Sequence, residues 1–224
     1  MTAPPSPPRL QRRFFARSTL RVARALLGCR LCHRVGGAVR RGRIVEVEAY
    51  TDDDASHSRG RRPTPRNAVM FGAAGHAYVY FTYGMHFCFN VVTETHGVPG
   101  AVLIRGLDGL ADANGPARLC RALGVDLRHN RLDLTAGGPL WIEAGRLRSA
   151  ERVIQTTRVG IRVAVELPWR FYVAGSAGVS RRDRAAEADV ASSLRSGRAM
   201  RTIESGRDVE AGAGPASTRS VTRR

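Results

Sequence analysis

The sequence predicts a fold that mixes β-strands with short helices in one or at most two small domains, and three observations predict it. Segments that alternate with strand period are interleaved with short helix-like segments carrying cap and stop residues. Two β-rich runs are separated by only three residues, which is a hairpin and therefore an antiparallel pair. The 224 residues allow one domain, or at most two small ones, with enough chain to bury a sizeable core.

Taken in order, residues 1–13 are a proline-rich and then basic N-terminal segment, with the domain proper expected over 14–182. Residues 18–28 (STLRVARALLG) read as a helix capped by Ser18 or Thr19, with Leu20, Ala23, Leu26 and Leu27 as its apolar face and Gly28 as its stop. A short strand follows. Residues 42–50 (GRIVEVEAY) alternate, so Val45, Val47 and Ala49 share one face and Ile44, Glu46, Glu48 and Tyr50 the other. Residues 51–67 are polar and read as a long surface loop. Residues 77–82 and 86–92 form the hairpin, with Tyr83, Gly84 and Met85 at its tip and Phe81, Phe87 and Phe89 assigned to the core. Residues 101–107 (AVLIRGL) give another strand. Residues 114–124, with Pro116 near the start and Gly124 at the end, give a short helix. Apolar pieces at 140–142, 159–165 and 170–173 supply further strands, and residues 183–224, rich in Arg, Ala, Ser and Gly, read as a disordered tail.

Charge narrows the function. The 36 basic residues against 19 acidic give +17, which in a chain with 43% hydrophobic residues points to a folded protein that meets a polyanion, with nucleic acid the first partner to consider. Every basic residue is arginine, and without lysine no side-chain amine is present for Schiff-base chemistry. No run reaches the roughly 18 to 20 apolar residues of a membrane helix, and the start lacks the apolar core of a signal peptide, so a soluble intracellular protein is expected. Cys29, Cys32 and His33 match the C-x-x-C-H haem signature. The helix stop before it and the strand after it favour buried strand cysteines, and Cys88 and Cys120 lack a second paired motif for zinc. Neither haem nor zinc is expected.

Glu46 and Glu48 project from one strand face about 6 to 7 Å apart. Such a pair is ordinarily two solvated acids. Here they sit in an apolar segment of a strongly basic protein, where carboxylates repel the expected partner. A catalytic acid has a reason to be there, because attack of water at a sugar carbon needs a base and stabilisation of developing positive charge. Strand parity does not choose between the two. Asp52, Asp53 and Asp54 read as loop residues. Tyr78 and Tyr80 share a face of the hairpin, while Tyr83 and Met85 at its tip need a partner from outside the domain, as a wedge entering a base stack does.

With these residues in hand, the sequence resembles the alkyladenine (3-methyladenine) DNA glycosylase family from about Phe14 to Ser180. The motifs that carry the resemblance occur in the family's order: VARALLG, RIVEVEAY, SHSRG, TPRNAVMF, YVYFTYGMHFCFN, AVLIRGL, NGPARLCRALG and RFYV. The resemblance implies a single compact domain of the α+β class, with a curved antiparallel β-sheet flanked by short helices, and no metal or redox cofactor. It implies Glu48 as the base that activates water, with Arg105 placing that water and the neighbouring phosphate. Tyr50, His57 and Tyr80 correspond to residues that stack on and hydrogen-bond an extruded base, and Asn90 to one that crowds out guanine. Tyr83 corresponds to the intercalating residue, with Met85 beside it, and Arg66 to a DNA-backbone contact. The short connection from Arg105 to Gly115 departs from many relatives. The expected activity is excision of alkylated or deaminated purines from double-stranded DNA by a monomer that leaves an intact abasic site. The expected location is the cytoplasm with the nucleoid, or the nucleus in a eukaryote. A noncatalytic nucleic-acid-binding protein and an O-glycoside hydrolase are the rival readings, and preference among 3-methyladenine, 7-methylguanine, hypoxanthine and ethenoadenine stays open.

Overall fold

The computed structural model describes residues 7–52, 56, 62–82 and 84–195. Eight strands join in one strongly curled antiparallel sheet: β1 (Arg30–Val35), β2 (Ala38–Tyr50), β3 (Ala77–Thr82), β4 (His86–Val92), β5 (Ala101–Asp108), β6 (Leu140–Glu143), β7 (Val153–Thr156) and β8 (Arg170–Val173). The spatial order is β3-β4-β5-β2-β1-β6, with β8 pairing β2 and β7. Helices α1 (Arg12–Phe15), α2 (Thr19–Leu26), α3 (Pro116–Leu123) and α4 (Arg184–Arg195) flank it.

Strand β2 is the hub. Of its 13 residues, Arg43 to Tyr50 pair with β5 along one edge, while the other edge pairs first with β1, from Ala38 to Arg43, and then with β8, from Glu46 to Glu48. Period-two alternation divides the sheet into two working faces. Val45, Val47, Ala49, Ala77, Val79, Phe89, Val91, Val102 and Ile104 pack in the main core against Val22, Ala23 and Leu26 of α2 and Leu119 and Leu123 of α3. Burying each large apolar side chain of this set contributes about 1.5–3 kcal/mol. The opposite face carries Glu46, Glu48, Tyr50, Tyr78, Tyr80, Asn90 and Arg105.

Several expectations change. Residues 159–165 are not a strand; the chain pairs earlier, at β7, and 159–165 form a loop, with Ala164 at φ 49°. The tail expected from residue 183 begins as a helix. An Ala-rich run starting behind Asp183, which accepts from the Ala186 N–H, lays Ala186 and Val190 on Ile154, Tyr172 and Val179. Residues 196–224 lie outside the described residues. The N-terminal segment is partly inside the domain, since Leu10 donates its N–H to Ile142 and Pro8 accepts from Ala144, which pairs the edge of β6. Phe89 is core and Phe87 packs against it, but Phe81 is 41% exposed because the hairpin has outrun the sheet there. Helix α2 takes its cap from a distance: the Glu94 carboxylate accepts from both the N–H and the hydroxyl of Thr19.

Candidate active site

The polar face of the sheet closes one side of a cavity of about 450 Å³, within the usual size of small-molecule sites. Tyr50, Tyr78, Tyr80, Asn90 and Arg105 line it from the strands, Ser56 and Met70 from the segment before β3, and residues 159–163 from the loop after β7. Asn90 is buried, with its side-chain amide donating to the Tyr78 carbonyl.

Both acids of β2 have no solvent exposure, and a bulge explains how one arginine serves them together. The β2–β5 register shifts on either side of Glu46, leaving Arg105 unpaired between Gly106 and Ile104. An unpaired bulge residue is re-aimed relative to the ladder. Arg105 accordingly donates Nε to Glu46 at 3.2 Å and Nη1 to Glu48 at 3.3 Å. Burial opposes its charge, but attraction from Glu48 and then Glu46 outweighs burial and raises its pKa.

The two carboxylates differ in everything else. Glu46 also accepts from Arg170 Nη1 at 3.0 Å and from the Ser180 N–H at 2.6 Å, and neither partner lines the cavity. The 176–180 segment comes close enough because residue 106 is glycine: a Cβ there would lie 2.1 Å from the Gly178 carbonyl oxygen. Glu48 accepts from the Val159 N–H at 2.7 Å, the Tyr50 hydroxyl at 2.8 Å and Arg105, and all three of these donors line the cavity. Its carboxylate therefore sits directly behind the cavity wall, oriented by fixed donors. Burial, then the charge and hydrogen bond of Glu48, raises the pKa of Tyr50, which keeps its hydroxyl a donor. Burial and contact with the Cys88 thiol likewise raise that of Tyr80, and burial pushes Tyr78 up to about 12.

Of the residues singled out from sequence, Glu48, Tyr50, Tyr80, Asn90 and Arg105 converge here. Arg66 is exposed and lies against the hairpin, with its guanidinium 5.6 Å from the Tyr80 ring centre and Nη2 donating to the Phe81 carbonyl. Met85 is 69% exposed at the hairpin tip. His57 and Tyr83 lie outside the described residues. Sequence reasoning missed Val159, which acts through a backbone N–H that carries no residue signature, and Arg158 and Arg170, each one arginine among 36. A buried carboxylate held ready at a cavity wall, beside an arginine and aromatic side chains, can activate water against a ligand seated on those aromatics.

Comparison with known proteins agrees in extent. The sequence profile of the methylpurine-DNA glycosylase family matches residues 13–177. A protein of Carboxydothermus hydrogenoformans is 43% identical over 189 residues, covering 77% of this chain and 99% of its own length. One of Methanoculleus marisnigri is 46% identical over 188 residues, covering 75% of this chain and 97% of its own. One of Bacillus mycoides is 45% identical over 202 residues, covering 77% and 96%. Each is provisionally named a 3-methyladenine DNA glycosylase. With a profile match across most of the chain and relatives aligned over nearly their whole length, this protein belongs to the methylpurine-DNA glycosylase family.

Proposed function

We propose that the protein is a monofunctional DNA glycosylase that extrudes a damaged purine from duplex DNA into the cavity and hydrolyses its N-glycosidic bond. The observation that carries this reading is the setting of Glu48, a fully buried carboxylate whose three donors, Tyr50, Arg105 and Val159, all face the cavity. The extruded base stacks among Tyr50, Tyr80 and the neighbouring side chains, while Met85, 69% exposed at the hairpin tip, enters the stack beside the vacated position.

Water bonds to the anomeric carbon as the C–N bond breaks, and the bonding pair leaves with the base. Glu48 accepts the proton from the water and its charge favours the positive character of the sugar ring. A purine alkylated at N3 or N7 already carries positive charge, so it leaves as a neutral base without further protonation. With no lysine in the chain, strand cleavage through a side-chain imine is closed, and the abasic site is left intact.

Base release from duplexes containing 3-methyladenine, 7-methylguanine, hypoxanthine or ethenoadenine tests this, alongside borohydride trapping. The expected products are free base and an unbroken abasic strand. Tight binding to all four duplexes with release from none would identify a DNA-binding protein instead, and a trapped adduct would overturn the monofunctional mechanism.

A further inference from the structure

The loop from Thr157 to Pro168 carries near its start Arg158, a 5% exposed arginine that the proposed reaction does not use directly. Its Nη1 donates to the carbonyl of Ala49 at 3.1 Å, and Ala49 is the residue between Glu48 and Tyr50. Its Nη2 donates to Ala164 at 3.4 Å, across the same loop. The guanidinium carbon lies 4.8 Å from the Tyr50 ring centre and 5.1 Å from that of Trp169. Trp169 in turn accepts the Ala49 N–H on its own carbonyl at 2.8 Å.

Both oxygens of Glu48 thus depend on groups that this one side chain holds. Oε2 takes the hydroxyl of Tyr50, whose ring Arg158 covers, and Oε1 takes the N–H of Val159, the residue next to Arg158. We propose that Arg158 is the positioning residue of the site: it fastens the 157–168 loop to β2 and so fixes the rotation of the Glu48 carboxylate. The inference rests on Glu48 being the reacting base. It assigns the arginine a task that lysine does not fill, because the planar fork spans two carbonyls while stacking on an aromatic face, and an ammonium does only part of this.

The test compares Arg158→Met and Arg158→Lys with the unaltered protein in single-turnover base release, reading the rate constant and the active fraction separately. A misplaced reacting group costs up to roughly 10²-fold in rate. The expected result is a rate constant lowered by about 10- to 100-fold in Arg158→Met, with lesion-duplex affinity and active fraction kept to within about threefold, and partial recovery in Arg158→Lys. A lowered active fraction at an unchanged rate constant would show a purely structural role and overturn the inference. If Arg158→Met does not fold, the same two readings on Arg158→Lys decide. A second readout needs no turnover: the ratio of affinities for duplexes with a pyrrolidine, a cation at the sugar position, and with a neutral tetrahydrofuran in its place. That ratio falls in the variants if the carboxylate has turned and stays constant if the inference is wrong. A protein that releases no base at all fails the proposed function, while the ratio still decides the role of Arg158.

Discussion

Glu46 and Glu48 are two residues apart on one strand face, equally buried and sharing Arg105, yet they occupy different regions of the molecule. The Glu46 end of the strand is scaffold: its other partners, Arg170 and the Ser180 N–H, join β8 and the 176–180 segment to the sheet, away from the cavity. The Glu48 end is poised: its donors form the cavity wall. Charge and burial do not tell these two acids apart. The separation lies in which partners each acid holds, and on which side of the strand those partners end.

The largest expected effect breaks the scaffold end. Arg170→Met removes a buried partner of Glu46 and should lower unfolding free energy by about 3–5 kcal/mol in denaturant titration, while the base-release rate of the folded fraction stays near that of the unaltered protein. A rate lost with stability intact would erase the distinction between the two ends. Tyr50→Phe acts on the poised end. Removing one hydrogen bond to a charged acceptor is worth about 1.5–3 kcal/mol, so single-turnover release by the folded fraction should slow by roughly 10- to 100-fold, with any loss of stability confined to that same range. Met85→Ala touches neither acid. It should weaken binding of a lesion duplex by about five- to tenfold, roughly 1–1.4 kcal/mol, and leave the rate constant of bound enzyme unchanged in a fluorescence titration paired with single turnover.

The smallest effect lies in the core, at the buried His33. Its Nδ1 donates to the Leu123 carbonyl at the end of α3, and its Nε2 is 3.1 Å from Nε2 of His129. Burial lowers the pKa of His33 below the usual histidine value, so the folded state favours the neutral ring. The stability this gives is complete above about pH 6.5 and is lost as pH falls through the lowered folded value. Melting temperature should therefore decline on acidification below about pH 6, and His33→Asn should flatten that decline without altering the ratio of rates between Glu46 and Glu48 variants.

Much of this was legible in the sequence, and the exceptions share a cause. The hairpin and the helix ending at Gly124 follow from local period and turn residues, and the structure places both; on β2, Glu46, Glu48 and Tyr50 share a face as parity reads, but Ile44, beyond the register shift, packs in the main core with Val45 and Val47. Parity put Glu46 and Glu48 on one face but did not rank them, because the ranking depends on Arg170, Ser180 and Val159, more than a hundred residues away in the chain. The 159–165 segment looks like a strand by composition. Val159 instead gives its N–H to Glu48, a contact made by backbone, which no side-chain pattern encodes. Phe81 reads as core by type and parity, but its exposure depends on where the sheet stops.

The central claim is that Glu48, and not Glu46, reacts. Single-turnover base release by Glu48→Gln and Glu46→Gln, each corrected for its folded fraction, tests it on one duplex. We expect Glu48→Gln to lose about 10²- to 10⁴-fold in rate while still binding the lesion, and Glu46→Gln to stay within about tenfold of the unaltered protein. Release at the full rate by Glu48→Gln, or an equal loss in Glu46→Gln with its fold intact, would contradict the account.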